Sequence, residues 1–139
     1  MSRILALDIG DKRIGVAISD ESHLLARPLT TIMRTSKHED FAKIARLIAE
    51  QGVERLIVGR PWTRRGEEGH QAQRVRRYVE ALSEVVRVSI EFQDERYTSL
   101  EAEEKLGVKR RPRAKGEIDA AAAAIILQDY LNQRMKGEG

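Results

Sequence analysis

The sequence predicts an α/β domain whose mixed five-stranded sheet is flanked by helices. Three observations predict it. Three short apolar runs joined by tight loops open the chain; the hydrophobic period then changes from 2 to 3.6; and strand-like and helix-like segments alternate from there to the end.

The first run, residues 3–8, ends in an Asp-Ile-Gly turn, and Arg13–Ser19 (RIGVAIS) follows closely enough to form a hairpin with it. Residues 29–33 alternate as a third strand, which makes an antiparallel meander. Ser36 and Glu39 then form an S-x-x-E capping box, with Phe41, Ile44, Ala45 and Ile48 at helical spacing behind it and Gly52 to stop the helix. Residues 56–59 (LIVG) suit a buried parallel strand. A helix over 67–84 places Ala72, Val75, Val79 and Leu82 on its core side, and residues 86–92 form the fifth strand. Thr98 and Glu101 cap a short helix ending near Gly107, and residues 109–115 (KRRPRAK) form a mobile basic loop. The last helix, 117–133, is nearly all apolar through 120–127 and should lie fully against the sheet. Right-handed crossovers place the fourth and fifth strands beside the first.

At 139 residues there is room for one domain and no internal repeat or linker divides it, so residues 1–139 read as a single unit. The absence of cysteine excludes disulfides and thiolate metal sites. No apolar run is long enough to span a membrane and no signal peptide is evident, so a soluble, cytoplasmic protein is expected. The formal net charge is only +3, but arginine and lysine concentrate in residues 60–65 (RPWTRR), 74–77 (RVRR) and 109–115. Such clusters suit a polyanionic partner, although most charge runs are simply solvated faces.

Three carboxylates are the candidates for chemistry. Asp8 sits where the first strand ends, and strand ends at sheet crevices are where α/β proteins bind ligands. Glu95 ends the fifth strand, so it opens onto the same edge if the two strands run parallel. Asp119 falls in the first turn of the last helix and shares a face with Ala122, Ala123 and Ile126. Taken singly, each has an ordinary reading: a turn aspartate, and two acids complementing helix dipoles. Together they form an oxygen-only cluster that would hold Mg²⁺ or Mn²⁺ rather than Zn²⁺. Two such ions roughly 3.5–4 Å apart can cleave a phosphodiester. His23, His38 and His70 read as surface residues.

Residues 7–20 (LDIGDKRIGVAISD), 58–61 (VGRP), 66–74 (GEEGHQAQR), 94–98 (DERYT) and 115–121 (KGEIDAA) resemble, in order, the motifs of the YqgF/RuvX family, and the ending IILQDYL at 125–131 is similar to that family's last helix. The resemblance implies an RNase H-like fold related to the Holliday-junction resolvase RuvC, with its acidic triad at Asp8, Glu95 and Asp119. Arg13, Arg96, Thr98 and Lys115 match motif positions that would bind phosphate or orient the acids. The family commonly has apolar residues where this chain has Arg60 and Trp62. Arg60 would then add a phosphate contact, and Trp62 either stacks on a base or caps an apolar patch.

The function this implies is a Mg²⁺- or Mn²⁺-dependent endonuclease that matures the 5′ end of pre-16S rRNA. The alternatives are a dimeric resolvase acting on branched DNA and a non-catalytic nucleic-acid-binding module. A nucleotide-phosphate-binding protein is a further class, because Asp8-Ile9-Gly10 also resembles the first phosphate loop of actin-like ATPases; the chain is short for the two-lobed cleft those enzymes use. Either a monomer or a homodimer fits.

Overall fold

The computed structural model describes residues 2–61, 69–94 and 115–138, with side chains in the last segment described from 119 to 135. In chain order it comprises β1 (Arg3–Ile9), β2 (Arg13–Ser19), β3 (Ala26–Met33), α1 (Lys37–Gln51), β4 (Val53–Arg60), α2 (His70–Ser83), β5 (Ser89–Asp94) and α3 (Lys115–Glu138). The strands form one sheet ordered β3-β2-β1-β4-β5. The first three are antiparallel, and β4 and β5 run parallel to β1. The expected mixed sheet is present, with one correction. Of the fourth and fifth strands only β4 lies beside β1; β5 lies outside β4, because the α2 crossover returns the chain to the next free edge.

Strand alternation divides the sheet into two apolar faces. Leu5, Leu7 and Ile9 of β1 join Leu56 and Val58 of β4 under Phe41 and Ile44 of α1 and Val75, Val79 and Leu82 of α2. On the other face, Ile4, Ala6, Ala17 and Ile57 pack against Ala123, Ala124, Ile126, Leu127 and Leu131 of α3. That helix is buried along most of its described length, as its apolar run requires. Gln128, fully buried, fastens it by accepting from the Ala26 amide at 2.9 Å and donating to the Leu24 carbonyl at 3.0 Å.

Several boundaries differ from expectation for identifiable reasons. β3 begins at Ala26, three residues early, because Pro28 sits on an edge strand beside a bulge where its missing N–H costs nothing. β4 covers Val53–Arg60, more than the apolar 56–59. β5 is Ser89–Asp94 rather than 86–92: the Val86 amide bonds back to Leu82 O at 3.1 Å, so that valine closes α2 instead of opening the strand. α2 starts at His70, with Gly69 as its N-cap. α3 starts at Lys115, the last residue of the expected basic loop, and runs past 133.

The α1 caps form as expected in part. Ser36 Oγ accepts from the Glu39 amide at 3.2 Å, but the Glu39 carboxylate accepts from Thr35 Oγ at 2.6 Å rather than returning to the cap. Gly52 closes α1 at φ 63°, the left-handed conformation that glycine adopts without a Cβ penalty. The proposed helix from Thr98 to Gly107 and residues 109–114 lie outside the described residues. No described helix is long and apolar enough to cross a membrane.

Candidate active site

Asp8 is the last residue but one of β1, where the strand leaves the sheet interior. Alternation puts it on the face of Ile4 and Ala6, toward α3. Its cross-strand partner in β2 is Gly15, and at Gly15 the α3 backbone comes close to the strand. A Cβ at Gly15 would collide with the Asp119 carbonyl group, so only glycine lets the helix backbone rest on β2 there. The Asp119 backbone thus rests on the residue that pairs with Asp8 across the sheet.

Arg13 completes the cluster. Two residues before Gly15 on β2, it faces the same side and donates from Nε to Asp119 Oδ2 at 2.7 Å. Both side chains are 27% exposed. A charge-assisted bond this short holds the carboxylate in one orientation. Asp119 is the fifth residue of α3, beyond the first turn where a dipole effect is felt, so dipole complementation does not account for it. Of the residues expected on its face, Ala123 and Ile126 are buried and Ala122 is half-buried.

β1 and β5 both run parallel to β4, so their C-terminal ends open onto one edge of the sheet, as expected. β5 ends at Asp94 on that edge. Glu95, Arg96, Thr98 and Trp62 lie outside the described residues, as does the side chain of Lys115. Among the described residues no group of three histidines or carboxylates could hold a metal ion. Arg60 is engaged by Asp94, with Nε and Nη2 at 3.2 and 3.1 Å from Oδ1, and its guanidinium lies 5.6 Å from the Phe92 ring centroid. His38 and His70 are exposed; His23 is half-buried, with Nε2 2.8 Å from Ser2 O and 3.3 Å from a Glu54 oxygen.

Asp20, which closes the motif begun by Asp8, lies at the opposite edge because β2 runs antiparallel to β1. Burial pushes its pKa up, but bonds from Ser22 Oγ and the Leu25 and Leu24 amides outweigh this and lower it. Its work is to fold the β2–β3 loop.

Sequence reasoning missed a buried polar cluster behind the site. Asp40, 2% exposed, accepts from Tyr78 OH at 2.9 Å and from the Thr35 amide at 3.0 Å. Arg34 lies with its guanidinium 4.5 Å from the Tyr78 ring centroid and donates to Gly10 O at 2.6 Å, in the turn between Asp8 and Arg13. The available signal was an aspartate in α1 immediately before its first apolar contact, Phe41.

The chain matches the family model described as "RuvX: Holliday junction resolvase" over residues 2–133. A protein of Chloroflexus aggregans named "Putative pre-16S rRNA nuclease" is 52% identical over 134 residues, covering 94% of each chain. A Synechocystis protein of the same name is 44% identical over 132 residues, covering 94% of this chain and 87% of its own. Among solved structures, T. thermophilus RuvC in complex with Holliday junction substrate aligns with a TM-score of 0.62 at 17% identity, covering 97% of this chain and 96% of that one. The fowlpox virus Holliday junction resolvase aligns with a TM-score of 0.53 at 12% identity, covering 94% and 99%. Those two likenesses establish the RNase H-like resolvase fold. The family match and the relatives' identity together establish that this chain belongs to the RuvX family.

Proposed function

We propose that this chain is a divalent-metal-dependent endonuclease that processes the 5′ end of pre-16S rRNA in the cytoplasm, acting as one nuclease domain. The observation that carries the reading is the bond of Arg13 to Asp119, 106 positions apart in sequence, beside Gly15, the cross-strand partner of Asp8 near the C-terminal end of the central strand. The names of the relatives supply the substrate. Glu95 is proposed as the third acid because it follows Asp94, the last residue of a strand parallel to β1.

The donor set suits Mg²⁺ or Mn²⁺. Both described acids offer hard oxygens, no cysteine is present, and the bond from Arg13 occupies only one Asp119 oxygen. Asp8, Glu95 and Asp119 would hold the ion or ions; bound there, the metal supplies Lewis-acid charge to the phosphate and lowers the pKa of the attacking water. Arg13 orients Asp119 and limits repulsion between neighbouring carboxylates. Arg60, Arg96, Thr98 and Lys115 are proposed to contact the RNA backbone, with residues 109–115 adding grip that carries no sequence information.

The family description favours a second reading, resolution of branched DNA. A resolvase needs two sites related by symmetry and hence a homodimer, which processing of RNA does not require. One experiment separates the two. Pre-16S rRNA and a four-way DNA junction are incubated side by side with Mg²⁺ or Mn²⁺, using wild type and Asp8→Asn. RNA cleavage lost in the variant supports the processing nuclease. Symmetric junction cleavage transfers support to the resolvase, and binding of both substrates without cleavage overturns the enzyme assignment.

A further inference from the structure

On the sheet face opposite Asp119, at the same end of β1, lies a cavity of about 220 Å³ lined by Ile9, Gly10, Asp11, Arg34, Gln71, Arg74, Val75 and Tyr78. That is far more than one water needs. We propose that this cavity is a second phosphate subsite, which takes a backbone phosphate of the nucleic-acid strand next to the one held at Asp8 and Asp119. The proposal deepens the nuclease reading and rests on it for the identity of the strand.

Four features make it a phosphate site. Arg74, on the exposed face of α2, makes no hydrogen bond or ion pair among the described residues. Arg34 is held by Gly10 O, Asp40 and Tyr78, and part of its five-donor fork remains for a ligand. Gln71 adds an amide. The cavity also meets the N-terminus of α2, whose cap Gly69 has no side chain to satisfy the first amides, and such ends favour anions.

Charge and shape narrow the ligand further. Asp40 is buried and already neutralises much of Arg34, and Asp11 at the rim opposes an anion. Among the described residues the surplus is therefore close to one positive charge, from Arg74 and the helix end, which suits one diester phosphate better than a triphosphate. Among the described lining residues no aromatic face is open to a base, because Arg34 covers the Tyr78 ring. The cavity thus grips backbone and ignores base identity. Gly10 follows Asp8 by two residues, about 7 Å of extended chain. A strand draped over the end of β1 would place one phosphate on each face.

The test is binding, not cleavage. A fluorescein-labelled single-stranded RNA is titrated in EDTA, by anisotropy, against wild type, Arg74→Ala, Asp11→Asn and the control Arg46→Ala on α1. Arg74→Ala is expected to weaken binding about fivefold, within the range of a single exposed charge pair. It should also lower the slope of log K against log salt by about 0.7, the value for one phosphate of a single strand. Asp11→Asn should tighten binding. An Arg74→Ala slope equal to that of Arg46→Ala, or an Asp11→Asn affinity at or below wild type, overturns the subsite. If Arg74→Ala abolishes binding of inorganic phosphate but leaves strand affinity and slope unchanged, the cavity is a free-anion site and the strand assignment falls. Failure of the wild type to cut any RNA would overturn the nuclease reading alone, since none of these readouts depends on cleavage.

Discussion

Replacing Gly15 with alanine attacks the close approach that seats Asp119 against β2. The added Cβ would overlap the Asp119 carbonyl carbon and oxygen, and both are backbone atoms, so no side-chain rotation relieves the clash. Either α3 lifts from β2 or β2 bends away from β1. Overpacking of this kind costs about 1–3 kcal/mol. At roughly 3–4 °C per kcal/mol for a chain between the small and mid-sized ranges, Tm should fall by about 3–12 °C. The effect on activity should be larger than the loss of stability accounts for. A misplacement of about 1 Å at a reacting centre costs on the order of 10²-fold, and the displaced residue is Asp119, proposed above as a metal ligand. The assay is a thermal melt followed by single-turnover cleavage at 25 °C, where the variant remains folded. Gly52→Ala serves as the comparison: at φ 63° it strains the α1 terminus, with nothing within 4 Å of the new Cβ. It should lose about 1–2 kcal/mol and keep full activity once folded. A Gly15→Ala protein that melts within 1 °C of wild type would refute the backbone contact, and one that melts lower but cleaves normally would refute its link to the site.

Burial raises the Tyr78 pKa well above that of a free phenol, and the bond to Asp40 and that carboxylate's charge raise it further. Its contribution to stability is therefore complete below about pH 10, where the unfolded phenol ionises, and is lost as pH rises beyond that, by up to about 1.4 kcal/mol per pH unit. Denaturant midpoints between pH 9 and 11 should fall more steeply for wild type than for Tyr78→Phe. Asp20 behaves in the opposite sense: its lowered pKa stabilises the fold above the ordinary carboxylate range, and that contribution disappears as pH falls through it. Asp20→Asn should flatten the acid limb of the stability curve without affecting cleavage at neutral pH. Ser36→Ala removes the side-chain acceptor for the Glu39 amide and should cost about 0.5–2 kcal/mol, read as a shift of the urea midpoint at constant slope.

The experiments divide along the same line as the molecule. Tyr78, Asp20 and Ser36 probe local bonds or bonds confined to one face, whereas Gly15 probes a contact between segments that meet only when the sheet and α3 assemble.

What can be read along the chain is whatever a short window encodes. Phe41 and Ile44 mark the α1 face, Gly52 its end, and the apolar stretch from Ala120 to Leu127 a helix buried against the sheet, because periodicity and capping act within a turn or two. Asp8 could be singled out for the same reason, as an acid at the end of an apolar strand. Boundaries such as Ala26 and Ser89 could not, since they are set by which residues of a neighbouring strand are free to pair. Nor could which acid Arg13 would hold, the role of Gly15 beneath the helix, or the junction of Arg34, Asp40 and Tyr78 behind Gly10. Each of these depends on the direction in which a side chain leaves an element and on what another element, tens of residues away, places opposite it. Residue type and spacing select the elements, and the close approach of their backbones selects which side chains meet.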